Sequence, residues 1–113
     1  MIFEGEYLNG ERNGKGKEYD IFGVLRYEGE YINGERNGKG KEYYSDCKLK
    51  YEGEYLNGER NGKGKEYEYL GYGKLEFEGE YLNGKKWNGK EKVYYHNRKL
   101  KFEREYLYRE HNM

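Results

Sequence analysis

The sequence predicts an all-β chain, an elongated single-layer antiparallel β-meander of stacked hairpins. Three observations carry this. The segment Tyr27-Glu28-Gly29-Glu30-Tyr31-Ile32-Asn33-Gly34-Glu35-Arg36-Asn37-Gly38-Lys39-Gly40-Lys41-Glu42-Tyr43 recurs from Phe3, from Tyr51 and, altered, from Phe77, with a degraded start at Phe102. The starts step by 24, 24, 26 and 25 residues, and a fixed period in this range marks stacked supersecondary units. Proline is absent and no stretch repeats at 3.6 residues, so helix is not expected, except in a short tail over Arg109–Met113 that frays.

The 113 residues fit one repeat domain, 1–113, with repeats starting at about 3, 27, 51 and 77 and a capping strand at about 99–108. Leu, Ile, Val and Phe number only 18, a level at which disorder is suspected. Zero net charge and 16 tyrosines argue against it, because Tyr supplies apolar area while its hydroxyl stays wet. The 22 Lys and Arg balance 22 Asp and Glu, so the basic surplus of a nucleic-acid binder is missing. Cys47 is the one cysteine, which excludes an intrachain disulfide. No secretory or long apolar segment stands out, and the reading is cytoplasmic, with a membrane surface as an alternative.

Each repeat reads as two strands and two turns. In the third, Leu49, Tyr51, Gly53 and Tyr55 alternate with Lys50, Glu52, Glu54 and Leu56, the period of a half-buried strand. Asn57-Gly58 and Asn61-Gly62 bracket Glu59-Arg60, and both pairs are read as turns because they tolerate positive φ. The second strand is then Lys63–Tyr67. About nine strands at ~4.8 Å give an array roughly 40–45 Å long. Gly5, Gly29, Gly53 and Gly79 sit between aromatics of one face, leaving room for a neighbouring ring over the backbone. On the other face Glu rows should meet Lys rows, each cross-strand pair contributing ~0.2–1 kcal/mol. Tyr67 shares the parity of Lys63 and Lys65, and a bulge before it would bring it to the aromatic face.

The later repeats depart from the pattern. Tyr69-Leu70-Gly71-Tyr72-Gly73 carries two extra residues, read as a longer turn. Repeat two turns through Ser45-Asp46-Cys47. In the fourth repeat Lys85-Lys86-Trp87-Asn88-Gly89 is read as one residue longer than its counterparts, with Glu91 in place of the second loop glycine. Trp87, the only Trp, is either a cap on the last hairpin or a binding anchor. The fifth unit, with Arg104 in a glycine place, is a charged capping strand. The N-terminal edge around Phe3–Leu8 has no such capping strand, which leaves edge-to-edge homodimerisation open.

The run Tyr-Glu-Gly-Glu-Tyr at residues 27–31, then Asn33-Gly34 and Gly38-Lys39-Gly40, resembles the MORN (membrane occupation and recognition nexus) repeat, over residues 3–108. Gly38-Lys39-Gly40-Lys41-Glu42-Tyr43-Tyr44 followed by Lys48-Leu49-Lys50 is also similar to the MORN-repeat variant of antitoxin-like proteins. The resemblance implies a twisted single sheet with an aromatic-lined groove and roles in scaffolding, dimerisation, peptide binding and lipid association. It implies aromatic positions at Tyr7, Tyr27, Tyr31, Tyr51, Tyr55, Phe77 and Tyr81. The family's usual Trp at the fifth motif position is Tyr here.

Catalysis finds no footing. The paired glutamates recur in every repeat, so they lack the distinct environments that acid–base work needs. His96 lies in a turn and His111 near the end, without ligand spacing, so neither a metal nor a cofactor is expected. Gly-x-Gly at 14–16, 38–40 and 62–64 opens no helix and is turn glycine, not a phosphate loop.

The expected function is a non-enzymatic scaffold or adaptor. A single-layer sheet should leave its aromatic stripe exposed, and a partner protein segment would lie along that aromatic/glycine groove on Tyr7, Tyr27, Tyr31, Tyr51, Tyr55, Phe77, Tyr81 and Trp87. A second expectation is a membrane-surface adaptor that meets acidic phospholipid through Arg12, Arg36, Arg60 and Lys86 on a basic loop edge. A third is a toxin-neutralising antitoxin. A carbohydrate or choline reader is disfavoured by the single Trp, and an accessory region of a larger enzyme is a further reading.

Overall fold

The computed structural model describes residues 1–71, 73–95 and 99–108. His96, His111 and the tail from Arg109 lie outside the described residues. The described chain forms β1 (Ile2–Leu8), β2 (Glu11–Tyr19), β3 (Leu25–Ile32), β4 (Glu35–Tyr43), β5 (Leu49–Leu56), β6 (Glu59–Leu70), β7 (Gly73–Leu82), β8 (Lys85–Tyr95) and β9 (Leu100–Leu107). They build one open antiparallel sheet in sequence order, the expected meander.

The two Asn-Gly pairs of a repeat do different work. Asn57 at φ 51° and Gly58 at φ 87° form the two-residue connection between the paired Leu56 and Glu59, where positive φ at both positions matches the twist of the strands. Asn61-Gly62 is not a turn. The second strand already starts at Glu59, and the register runs Tyr55↔Arg60, then Gly53↔Gly64. Glu54 therefore faces three residues, a bulge with Gly62 at φ 89°. The Glu54 carboxylate accepts the Lys63 N–H freed there, at 2.7 Å, and Glu6 and Glu30 do the same for Lys15 and Lys39. The expectation of a second turn is corrected on this point: side-chain carboxylates satisfy the bulge, so pairing resumes beyond it.

Three other expectations on register change. Tyr67 keeps the parity of Lys65, with no irregularity where β6 pairs β7, and its hydroxyl reaches Glu52 on the charged face at 3.4 Å. The extra residues of the third repeat lengthen β6 and β7, which stay paired out to Leu70↔Gly73, so they make longer strands and not a longer turn. In the fourth repeat Lys86 pairs Tyr81 and Gly89 pairs Gly79, so Trp87-Asn88 stands where other repeats have three residues. That bulge is shorter, not longer, and Glu91 corresponds to Glu66.

β9 is slid by two residues against the expected alignment. Tyr106, not Arg104, meets Gly89, and Arg104 meets Glu91.

Candidate functional site

Two faces of the sheet compete as the site, and the glycine row separates them. Gly5 pairs Gly16, Gly16 pairs Gly29, and the row continues unbroken through β8, where it ends at Gly89. On one side of it lie the aromatics. A Cβ on Gly53 would stand 2.5 Å from the Tyr51 hydroxyl and 2.6 Å from Gly64 Cα, so only glycine lets strand and ring approach this closely.

The rings run as one chain of edge-to-face contacts: Phe3–Tyr31 at 5.1 Å, Tyr31–Tyr27 at 5.6 Å, Tyr27–Tyr55 at 5.3 Å, Tyr55–Tyr51 at 5.5 Å, Tyr51–Tyr81 at 5.2 Å and Tyr81–Phe77 at 5.5 Å. Cations close the stripe from above. Arg36 lies 4.0 Å over Tyr27, Arg60 4.2 Å over Tyr51, Arg12 4.3 Å over Phe3 and Lys86 4.9 Å over Phe77.

Glu18, Glu42 and Glu66 have the parity of glycine and so point into this face. Glu18 accepts the Tyr31 hydroxyl and two bonds from Arg36, at 3.0 and 3.1 Å. Glu42 receives Tyr55 and Arg60 in the same way. Glu66 takes the Tyr81 hydroxyl at 2.8 Å and the other side of Arg60 at 2.8 Å. In the fourth repeat Lys86 replaces arginine, and Glu91 pairs with Lys86 and Arg104. Burial pushes the Glu18 and Glu42 carboxyls up, but the arginine and tyrosine hydrogen bonds outweigh it and hold both below the ordinary carboxylate value.

The exposed aromatic stripe is therefore corrected. Tyr27, Tyr31, Tyr51, Tyr55, Phe77 and Tyr81 are each between 0 and 4% exposed. A single layer buries them because the rings cover one another and the guanidiniums cover the rings. Of the proposed anchors only Tyr7, at 60%, and Trp87, at 44%, are exposed. Trp87 stacks on Tyr108 at 5.2 Å, and its carbonyl accepts the Tyr108 N–H, the contact of an end cap. The basic loop edge is corrected too. Arg12, Arg36, Arg60 and Lys86 lie in strands and are turned onto the aromatics. Ion pairing holds Arg36 and Arg60 further, so neither points a charge outward.

The opposite face carries a groove of about 1430 Å³ with the glycine backbone as its floor. Its walls are charges in strict alternation. Lys17 pairs Glu28, Glu28 pairs Lys41, Lys41 pairs Glu52 and Glu52 pairs Lys65. Crossing eight strands, it is ~34 Å long. Among the described residues no group of three or more His, Cys, Asp and Glu is placed to hold a metal.

Parity foretold the charged ladder but not the groove it walls. Sequence reasoning also passed over Ile21 and Phe22, 81 and 84% exposed in the β2–β3 connection. Asp20 Oδ1 accepts the Phe22 and Val24 N–H groups there, which fixes the tip.

The family model described as MORN repeat matches residues 3–20, 27–46 and 51–67. Those ranges cover the three repeats with the three-residue bulge, and the match lends no support to an antitoxin-like variant. A search of the curated proteins finds no match to the chain.

Proposed function

We propose that this chain, whose residues 3–20, 27–46 and 51–67 match the MORN repeat, is a non-enzymatic scaffold holding an extended segment of a partner protein in the glycine-floored groove. MORN repeats are generally protein- or membrane-interaction motifs on an all-β scaffold that is generally non-enzymatic. The observation that carries the finer reading is the groove itself, open along eight strands and walled by side chains that alternate in sign. The aromatic residues support it from behind: Tyr51 packs under the glycine row and donates to the Glu54 carbonyl at 3.0 Å.

Charge spacing describes the segment. Like charges along a wall recur every second strand, at ~9.6 Å. Three residues of polyproline II rise ~9.3 Å and bring every third side chain to one side. The favoured partner segment is thus extended, with a charge at every third residue. Because the walls nearly balance, seven glutamates against six lysines, the pattern selects the partner more than it speeds encounter.

The test is affinity capture from the source lysate with the unaltered chain and with Lys41→Glu/Lys65→Glu, a wall reversal at two positions that leaves one wall acidic from Glu28 to Glu78. Lys85→Glu, outside the groove, serves as control. A stoichiometric protein retained by the unaltered chain and the control, and lost on wall reversal, is the expected result. Retention of that protein by all three chains would overturn the groove assignment. Acidic phospholipid retained without protein would move the function to the membrane surface.

A further inference from the structure

The glutamate–arginine–tyrosine ladder starts one carboxylate short. In repeats two and three a cross-strand pair, Tyr31↔Arg36 and Tyr55↔Arg60, holds the carboxylate of the preceding repeat, Glu18 and Glu42. Tyr7↔Arg12 is the same pair in the first repeat. Among the described residues no carboxylate lies at ion-pair distance from Arg12, whose guanidinium rests on Phe3 at 4.3 Å. Tyr7 is 60% exposed where Tyr31 and Tyr55 are 2 and 4%. Among the described residues β1 is also an edge of the sheet, with β2 its single neighbour.

The geometry points to a strand-addition site on β1 for an extended protein segment that brings a carboxylate to Tyr7 and Arg12. The protein contains the template of its own ligand. Where β2 lies against β3, Gly14 meets Tyr31, Lys15 meets Glu30, Gly16 meets Gly29, Lys17 meets Glu28 and Glu18 meets Tyr27. One repeat earlier those acceptor positions are Tyr7, Glu6, Gly5, Glu4 and Phe3. The docking segment therefore reads Gly-Lys-Gly-Lys-Glu, antiparallel to β1. Its lysines meet Glu4 and Glu6, and its glutamate reaches Tyr7 and Arg12. The second glycine is required, because the Tyr31 ring comes within 3.0 Å of where a Cβ on Gly16 would stand, and Tyr7 would cover the docked residue in the same way.

This surface is distinct from the groove, and main-chain pairing would supply affinity while the side chains set specificity. A second copy of β1 fits worse. With Gly5 on Gly5 of the copy, Glu4 falls opposite Glu6, like charges that destabilise a cross-strand pair, and no carboxylate reaches Arg12.

The probe is the nonapeptide Glu-Arg-Asn-Gly-Lys-Gly-Lys-Glu-Tyr, the sequence of residues 11–19 and 35–43. It is titrated into the full chain while amide hydrogen exchange and NMR shifts are followed. The expected result is saturable binding that protects amides over residues 3–7. Affinity should fall about tenfold or more for peptide with its second glutamate changed to glutamine, for peptide with alanine at its second glycine, and for the Tyr7→Phe chain. Tyr7 is exposed, so that variant keeps the fold. Absence of protection at millimolar peptide, or equal affinity for the glutamate and glutamine peptides, would overturn the site. So would protection of the same amides by chain concentration alone, which would make the edge a dimer interface.

Discussion

Arg60 holds Glu42 by two parallel hydrogen bonds, Nε to Oε2 at 3.0 Å and Nη2 to Oε1 at 3.2 Å. The same guanidinium lies flat over Tyr51 and gives Nη1 to Glu66. One side chain thus lids the core and joins carboxylates of two repeats. Removing it leaves Glu42 and Glu66 with only their tyrosine hydroxyls, and because both pairs are part-buried the loss should approach the lower end of the ~3–5 kcal/mol that breaking a buried pair from one side costs. Arg12, with a ring contact and, among the described residues, no carboxylate at ion-pair distance, should cost about 1 kcal/mol or less on removal. Urea unfolding of Arg60→Ala and Arg12→Ala checks this, and equal losses would mean that the ladder contributes nothing beyond ring cover.

Tyr7 and Tyr55 occupy the same motif position at opposite burial, 60 and 4% exposed. Tyr55→Ala opens a cavity between Tyr27 and Tyr51 and removes one of the hydrogen bonds on the Glu42 carboxylate, a loss of about 3–5 kcal/mol. Tyr7→Ala should cost under ~1 kcal/mol. Thermal unfolding separates them, and a large loss at Tyr7 would show that β1 already buries it in solution.

Much of this was legible in residue parity. Alternation placed Tyr51 and Gly53 on one face and Glu52 on the other, and the antiparallel order needed only short connections. The same parity placed Glu42 and Glu66 among the aromatics, but local sequence does not show that Arg60 pairs with both. Asn61-Gly62 misled because positive φ serves a bulge as well as a turn. Nothing in local sequence shows which, since the choice rests on Glu54 reaching the freed Lys63 N–H. The buried stripe was missed for a related reason: its cover comes from arginines about nine residues downstream, as Arg36 covers Tyr27.

Gly53 tests the close approach between strand and ring. An added methyl would stand 2.5 Å from the Tyr51 hydroxyl and 2.6 Å from the Gly64 backbone. Overpacking of that kind costs about 1–3 kcal/mol, and Gly53→Ala should lose at least that much while distorting the groove floor. Gly58→Ala meets no atom within 4 Å, and its penalty comes from φ 87° alone, about 1 kcal/mol. Partner capture should weaken in Gly53→Ala and persist in Gly58→Ala. Loss in both would detach binding from the groove.

Stability should fall at both ends of the pH scale, for opposite reasons. Glu18 and Glu42 titrate below their ordinary 4.5 in the folded chain, because arginine and tyrosine hydrogen bonds outweigh burial. A depressed carboxyl stabilises fully above its unfolded value, and the gain is lost as pH falls through the folded one. The urea midpoint should hold from pH 7 to about 5 and then drop, and Glu42→Gln should lower the plateau and flatten that drop. At high pH the sign reverses. Burial pushes Tyr51 from 10.0 up to about 12, so its contribution is complete below pH 10 and disappears as pH rises toward 12. Tyr27, Tyr31, Tyr55 and Tyr81 are raised as well, by burial first, with Glu18, Glu42 and Glu66 adding to it at Tyr31, Tyr55 and Tyr81. Absorbance at 295 nm, followed together with the far-ultraviolet sheet signal, should show these buried tyrosines ionising in step with the loss of the sheet. Ionisation of the whole set with the sheet intact would mean that the ring chain is open to solvent, and the cover by Arg36 and Arg60 would then be wrong.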